Sequence, residues 1–208
     1  MNIYSTKVNP FFRVVYIQSN IAMLNLMEIF DTNSKSKFKT YMEFVMSITQ
    51  SIKHQDRLLT INVNDGEIKN ALPGVHVTPC FLDPDNGVWV IRARFDAGTV
   101  LPRHFHTGVV HFYTTAGSWH YVEYPEDVQT AGSYLFEPAG SIHTLTTPEG
   151  AEGFMIVEGA NVNLNDDDSL MFIMDAGWIE RTLLAVAQQT GQKTPRYIKP
   201  GAAVGFSD

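Results

Sequence analysis

Apolar and polar residues alternate in short runs along most of the chain, and glycine, proline, asparagine or aspartate separates the runs. Residues 88–95 (VWVIRARF) are one such run, with the turn sequence DPDNG directly before it. A two-residue period between turn signals is typical of a β-strand. Strands are predicted over residues 59–63, 74–82, 88–95, 99–106, 109–115, 118–124, 133–136, 142–146, 154–158 and 161–164. This many short, evenly spaced strands predict an all-β fold, an antiparallel sandwich or barrel.

The two ends of the chain follow other patterns. Near the C-terminus, Asp175 is placed to cap a helix that runs through Trp178 to Thr190 and ends at Gly191. The first 55 residues are poorly defined, and we interpret the first forty or so as an extension or as the product of a start codon assigned too early. We therefore expect an N-terminal extension over residues 1–55, a β-barrel over 56–166, and a helix and tail over 167–208 that pack on the barrel.

Composition narrows the function classes. A chain of 208 residues with a formal net charge of −7 has one cysteine, Cys80. The acidic charge and the absence of a basic run argue against a nucleic-acid partner. No apolar run reaches 18 residues, so no membrane span is expected. A single cysteine excludes an internal disulfide and fits the reducing cytosol, so a cytoplasmic location is expected.

Histidines are concentrated in one part of the chain. Five of the seven histidines fall between residues 104 and 143. His104 and His106 are two residues apart in a predicted strand and so point to the same face. His143 follows a Pro-Ala-Gly turn and is a candidate third ligand. Imidazole nitrogen is a common ligand for zinc, copper, iron and nickel, so the clustering indicates a metal site rather than isolated core or surface histidines.

This part of the chain resembles the two motifs of the cupin superfamily. The first motif reads Gly98, five residues, His104-Phe105-His106, four residues, His111, five residues, Gly117. The second reads Gly132, five residues, Pro138-Ala139-Gly140, two residues, His143, three residues, Thr147. Two positions depart from the family pattern, because His111 replaces the usual glutamate ligand and Thr147 replaces an asparagine. The resemblance implies a jelly-roll barrel with a metal bound inside it, and cupins are commonly homodimers or homotetramers.

Within the superfamily, the pattern is most similar to the acetylacetone-cleaving and dihydroxyacetophenone dioxygenases, which are ChrR-like cupins. The segments His-Thr-Gly after His106, GSWHYVEY and EPAGSIHTL carry this likeness. The resemblance implies that His104, His106 and His143 are the metal ligands and catalytic centre, with no carboxylate among them. His111 is then either a fourth ligand or a hydrogen-bond partner beside the metal.

A substrate pocket is predicted on the strand that follows the first motif. Counting by twos from His111 turns Tyr113 and Thr115 inward, and Trp119 and Tyr121 are expected to face the barrel as well. These aromatic residues are as consistent with a plain hydrophobic core as with a substrate pocket.

The resemblance implies a non-haem Fe(II) dioxygenase that cleaves a carbon–carbon bond of a β-diketone or a hydroxyaryl ketone with O₂. Zinc, manganese and nickel are the alternative metals. The alternative function is a non-oxidative cupin, either a zinc-binding sensor module or an isomerase. The expected partners are therefore a small ketone and O₂.

Overall fold

The computed structural model describes residues 58–202 and 204–207, and the predicted extension over residues 1–55 lies outside them. The described residues contain 13 strands and one helix, which confirms the all-β prediction. The first strands are β1 Ile68–Leu72, β2 Val75–Asp83, β3 Val88–Phe95, β4 Thr99–Val100, β5 His104–His106, β6 Val110–Tyr121 and β7 Tyr124–Thr130. The others are β8 Tyr134–Glu137, β9 Ile142–His143, β10 Leu145–Thr147, β11 Ala151–Glu158, β12 Asn161–Leu164 and β13 Leu170–Met174, followed by helix α1 Ala176–Thr190.

The strands form two antiparallel sheets. The larger sheet has the order β1-β2-β3-β11-β6-β10-β4, and β7 and β8 also pair with the long strand β6. The smaller sheet has the order β13-β12-β5-β9. Side chains from the inner face of the larger sheet and from α1 form one apolar core, whose largest fully buried members are Trp89, Trp119 and Phe112. The smaller sheet carries the histidines against this core.

Strand β3 shows how the alternating sequence pattern gives the sheet an apolar inner face and a polar outer face. Along Val88–Phe95, every second side chain is buried and the others are partly exposed. The outward Arg92 and Arg94 are paired with Glu152 at 2.6 Å and with Glu67 at 3.0 Å. The alternation therefore places apolar side chains inward and ion pairs on the outer face, and the predicted bounds of this strand are confirmed.

Strand β6 contains a β-bulge that reverses its inward face. Thr114 is opposite Gly153 on β11 while Ala116 is opposite Glu152, so Thr115 is the extra residue. Gly117 follows with a φ of 68°, and a Cβ there would lie 2.1 Å from the carbonyl oxygen of Gly150. The inward positions are consequently even-numbered before the bulge and odd-numbered after it.

Helix α1 begins and ends where the sequence predicted. The side chain of Asp175 accepts a hydrogen bond from the backbone N–H of Trp178, and Gly191 adopts the left-handed conformation with a φ of 68°. Ile179 and Leu183 are buried against the first strands of the larger sheet. Each such side chain contributes about 2 kcal/mol of burial free energy, so packing holds the helix over one end of the barrel.

Three features differ from the sequence prediction. Residues 59–63 are not a strand, and the next strand, β1, was not predicted. The barrel also continues past residue 166, because β13 pairs with β12.

Within residues 58–202 and 204–207, no helix has the length and apolar character needed to cross a bilayer.

Candidate metal centre

Three histidines meet on the inner face of the smaller sheet. In β5, His104 and His106 point inward and Phe105 points outward, as strand alternation predicts. His143 on β9 is directly opposite His104 in the ladder. All three side chains are at most 4 % exposed. Their candidate ligand nitrogens all lie within 4.8 Å of one another, so one ion can reach the three rings.

Two of these rings are held by hydrogen bonds on the side away from the cluster. His104 Nδ1 donates to the carbonyl oxygen of Pro102 at 2.8 Å. His106 Nδ1 donates to the side-chain oxygen of Asn161 at 2.7 Å. A proton on Nδ1 leaves the Nε2 lone pair of each neutral ring free for a metal, and the partner fixes the ring orientation. Asn161, which the sequence analysis did not identify, is therefore part of the site.

Burial favours the neutral, metal-binding form of His104. Desolvation lowers the pKa of His104 from 6.5 to about 4, and the charges of the neighbouring His106 and His143 act in the same direction. The bond to Pro102 and the charge of Glu137 oppose this only in part. The ring therefore presents a lone pair at neutral pH without having to lose a proton.

Tyr121 packs directly on the third histidine. Its ring is stacked on that of His143, with the centroids 3.9 Å apart and the planes 17° apart. On its other side, Tyr121 meets the edge of Trp119. The phenol O–H of Tyr121 donates to the carboxylate of Glu137. One side chain thus restrains both a candidate ligand and a nearby acid.

A carboxylate that the sequence analysis missed lies within the cluster. Glu137, at the end of β8, is 4 % exposed, and its Oε2 is 2.7 Å from His106 Nε2 and 3.4 Å from His143 Nε2. Burial raises the pKa of the Glu137 carboxyl, but the interactions with His106 and His143 outweigh burial and hold the pKa well below its usual range. A buried carboxylate therefore lies beside the three histidines, which the sequence analysis did not predict.

His111 lies on the opposite face of β6 from the cluster. Its Nδ1 is 2.6 Å from the hydroxyl of Tyr134, and its ring contacts those of Tyr134 and Phe136 on the outer surface. The inward position next to it is Val110, which is completely buried. The prediction that His111 is near the metal is therefore wrong, because this residue lies on the outer face of β6 and the inward position beside it is Val110.

The four predicted pocket residues do not all face inward: two of them lie on the outer face of β6 and the two after the bulge face the interior. Tyr113 is 49 % exposed, and the Thr115 hydroxyl donates to Glu152 on the outer face. Both were predicted to face inward, which is wrong, because the count of alternate positions started from His111, which itself lies on the outer face of β6. Trp119 faces inward but is enclosed in the core, where its N–H donates to the Thr114 hydroxyl at 2.9 Å. Among the four, Tyr121 is the one that lines the cavity described next.

A cavity of about 70 Å³ opens beside the histidines. Its polar end is formed by His104, His106, Tyr121, Glu137 and Asn161. The rest of its wall is almost entirely apolar, and helix α1 closes it with Trp178, Ile179, Thr182 and Leu183. This volume holds a few water molecules or a small organic group, since a water needs about 10–15 Å³ on the same measure.

The residues present fit a bound metal ion. Three buried imidazoles and one carboxylate can supply lone pairs to one small volume, and Glu137 Oε2 is buried without a donor of acceptable hydrogen-bond geometry among the described residues. Among the described residues, no lysine or arginine lines the cavity at this end. Nitrogen and oxygen donors of this kind suit divalent iron, zinc, manganese or nickel.

The comparisons with known proteins agree with this fold. Residues 56–162 match the family described as the ChrR Cupin-like domain. A structure of a protein of unknown function with a cupin-like fold from Ralstonia eutropha JMP134 is 40 % identical, with a TM-score of 0.66, covering 73 % of this chain and 97 % of the other. An RmlC-like cupin from the same organism is 28 % identical, with a TM-score of 0.59, covering 66 % and 92 %.

An acetylacetone dioxygenase from Acinetobacter johnsonii has the same fold, with a TM-score of 0.59 and 17 % identity over 65 % of this chain and 96 % of the other. A comparison with curated proteins found no significant match. The family match spans half of the chain and includes the strands that carry His104, His106 and His143. The chain therefore belongs to the ChrR cupin-like family of the cupin superfamily.

Proposed function

We propose that the protein is a non-haem Fe(II) dioxygenase that cleaves a carbon–carbon bond of a β-diketone or a hydroxyaryl ketone. The observation that carries this proposal is the cluster of three buried histidines, of which His104 and His106 line the polar end of an otherwise apolar cavity. The fold shared with an acetylacetone dioxygenase is consistent with it. In the overall reaction both oxygen atoms of O₂ enter the products, which are two carbonyl or carboxylic acid compounds.

His104, His106 and His143 would hold the iron. Bound iron(II) would supply a Lewis acid for the two oxygens of the substrate's enolate and a site for O₂. The protein contributes orientation, because Pro102 and Asn161 fix two of the rings and Tyr121 stacks on the third. This support limits rotation of the ligands while substrate enters and product leaves.

The cavity wall selects the substituent of the ketone. Leu72, Val75, Ile91, Phe95, Met155 and Leu183 line it. An alkyl or aryl group gains free energy there by leaving water, about 25 cal/mol for each Å² of apolar surface that is buried. A charged substituent would be left without a partner, and burying such a group is costly. The enolate end therefore meets the histidines and the substituent points towards α1.

The test begins with metal analysis of protein purified without oxygen, followed by oxygen-electrode assays. Iron-loaded protein is expected to consume one O₂ for each molecule of ketone that is cleaved. The assay covers a panel of β-diketones and hydroxyaryl ketones. His104→Ala should abolish uptake, whereas His111→Ala on the outer face should retain it. Full activity with zinc, or no uptake with any ketone of the panel, would reject the proposal.

A non-oxidative zinc cupin, acting as a sensor module or an isomerase, is the second candidate. The observation that favours it is the carboxylate of Glu137, because four protein donors around one ion are typical of structural zinc sites. This candidate predicts that the protein isolated from cells contains zinc and that its iron form does not take up O₂.

A further inference from the structure

The two oxygen atoms of the Glu137 carboxylate have different surroundings. Oε1 accepts the phenol hydrogen of Tyr121, which fixes the rotation of the carboxylate. Oε2 points at the histidines, 2.7 Å from His106 Nε2 and 3.4 Å from His143 Nε2. It has no hydrogen-bond donor of acceptable geometry among the described residues. One oxygen is thus anchored and the other is left available.

Three atoms that can each bind a metal meet at this point. His106 Nδ1 donates its hydrogen to the side-chain oxygen of Asn161. In the neutral ring, Nε2 therefore carries a lone pair rather than a proton. The Nε2 atoms of His106 and His143 are 3.0 Å apart, and Glu137 Oε2 is close to both. When all three atoms carry lone pairs, they repel one another at such distances unless a positive charge lies between them. A shared cation removes the repulsion for all three atoms at once.

The spacing of these atoms suits one metal ion. Two ligands that each lie about 2.1 Å from a metal are about 3.0 Å apart in an octahedron and about 3.4 Å apart in a tetrahedron. The observed separations of 2.7, 3.0 and 3.4 Å fall around these values. Glu137 therefore satisfies the distance requirement for the same ion as His106 and His143.

The strand register explains how a carboxylate reaches this place. Val110 occupies the inward position that follows the His-x-His segment, and it is directly opposite Glu137 in the β6–β8 ladder. Side chains of residues opposite each other in an antiparallel pair have Cβ atoms about 5 Å apart. An acid on β8 can therefore reach the region that an acid on β6 would occupy.

We infer that Glu137 is a fourth metal ligand, which binds through Oε2 from β8 in place of an acid at Val110. The inference rests on the metal site of the proposed function and adds an anionic donor to it. A divalent metal with this donor lowers the net charge of the centre from +2 to +1. Tyr121 is then a positioning residue, since it touches the carboxylate and a histidine ring.

A crystal structure of the zinc-loaded protein tests the coordination directly. The expected result is a Glu137 oxygen about 2.0–2.2 Å from zinc, together with His104, His106 and His143. A zinc ion held by the three histidines with Glu137 more than 3 Å away would overturn the inference. This measurement uses the natural chain and does not depend on whether any variant folds.

Titrations of metal-free variants with zinc and cobalt(II) test the energetic contribution. Glu137→Gln keeps the size of the side chain and is expected to weaken zinc binding more than 100-fold and to alter the visible spectrum of bound cobalt(II). Val110→Glu combined with Glu137→Val moves the acid across the ladder and should recover at least 10-fold of that loss. A loss of zinc affinity below 100-fold in Glu137→Gln, with an unchanged cobalt(II) spectrum, would show that Glu137 does not bind the metal and only contacts its ligands. Residues that hydrogen-bond to metal ligands typically contribute about 10–100-fold to metal affinity.

The outcomes separate this inference from the proposed function. Glu137 can bind zinc and cobalt(II) whether or not the iron form consumes O₂ with a ketone. Conversely, O₂ uptake by iron-loaded protein does not require a bound carboxylate. Asn161→Ala serves as the matched control, because it removes an outer partner of His106 and leaves all four proposed ligands in place.

Discussion

The metal-free protein should lose stability as the pH falls from neutrality, and His104 should account for a defined part of the loss. Burial lowers the pKa of His104 from 6.5 to about 4 in the folded chain. The unfolded chain therefore takes up this proton at a higher pH than the folded chain does. Between these two pH values the unfolded state binds more protons, so the unfolding free energy falls as the pH falls.

The size of the effect follows from the two pKa values. The difference of about 2.5 pH units between 6.5 and about 4 corresponds to about 3.5 kcal/mol, since one unit is worth about 1.4 kcal/mol, and about 3 kcal/mol of this is lost between pH 6.5 and pH 4. This contribution is nearly complete at pH 6.5 and has almost disappeared at pH 4. With a urea dependence of about 2 kcal/mol per molar, the urea midpoint should move by about 1.5 M over this range.

Urea unfolding of metal-free protein at a series of pH values measures this change. Other groups also titrate in acid, so the informative quantity is the difference between the natural chain and His104→Gln, which cannot take up the proton. The stability of the variant should vary less with pH, by about 3 kcal/mol between pH 6.5 and 4. Parallel curves for the two proteins would refute the reasoning that burial keeps His104 neutral.

Three further changes probe the surroundings of the site. Asn161→Ala should weaken zinc affinity about 10–100-fold in a chelator competition, because His106 loses the partner that orients its ring; unchanged affinity would contradict this. His111→Ala should leave the metal content of purified protein unchanged, since this residue lies on the outer face of β6; metal loss would show that it reaches the centre. Trp119→Phe should reduce the unfolding free energy by about 1–3 kcal/mol in urea, because the buried Thr114 hydroxyl loses its donor; a neutral result would mean that Thr114 finds another partner.

The sequence was sufficient to predict those helix and strand ends that depend on residues close together in the chain. Asp175 and Gly191 end the helix because a side-chain oxygen and a left-handed glycine satisfy the terminal backbone groups on the spot. The bounds of β3 follow from alternation and from the turn at residues 83–87 in the same way. Such features need no knowledge of the rest of the fold.

Which residues of β6 face inward could not be predicted from neighbouring residues in the sequence. Alternation along residues 111–121 suggested one continuous inward set, but the extra residue at Thr115 separates two sets of opposite parity. The bulge depends on the close approach of Gly117 to Gly150 on the path to β11, about thirty residues later in the chain. A pairing between strands distant in sequence therefore decided which side chains meet the metal centre.

The carboxylate of the centre was missed for a related reason. A motif counts positions along one strand, whereas a metal ion is reached by side chains from any strand nearby. Leu135 and Glu137 share the inward face of β8, and this alternation was the available signal, but Tyr134 and Phe136 are also apolar and conceal it.

The register between Val110 and Glu137 leads to a prediction about related chains. If one carboxylate at this point serves the metal, an acid should occur at one of the two opposite positions and an apolar residue at the other. Two acids there would place like charges side by side in a buried site, and two apolar residues would leave the three imidazoles without an anionic partner. An alignment of family members that keep all three histidines provides the measurement. Independent variation of the two positions would contradict the idea that β6 and β8 are alternative sources of the same ligand.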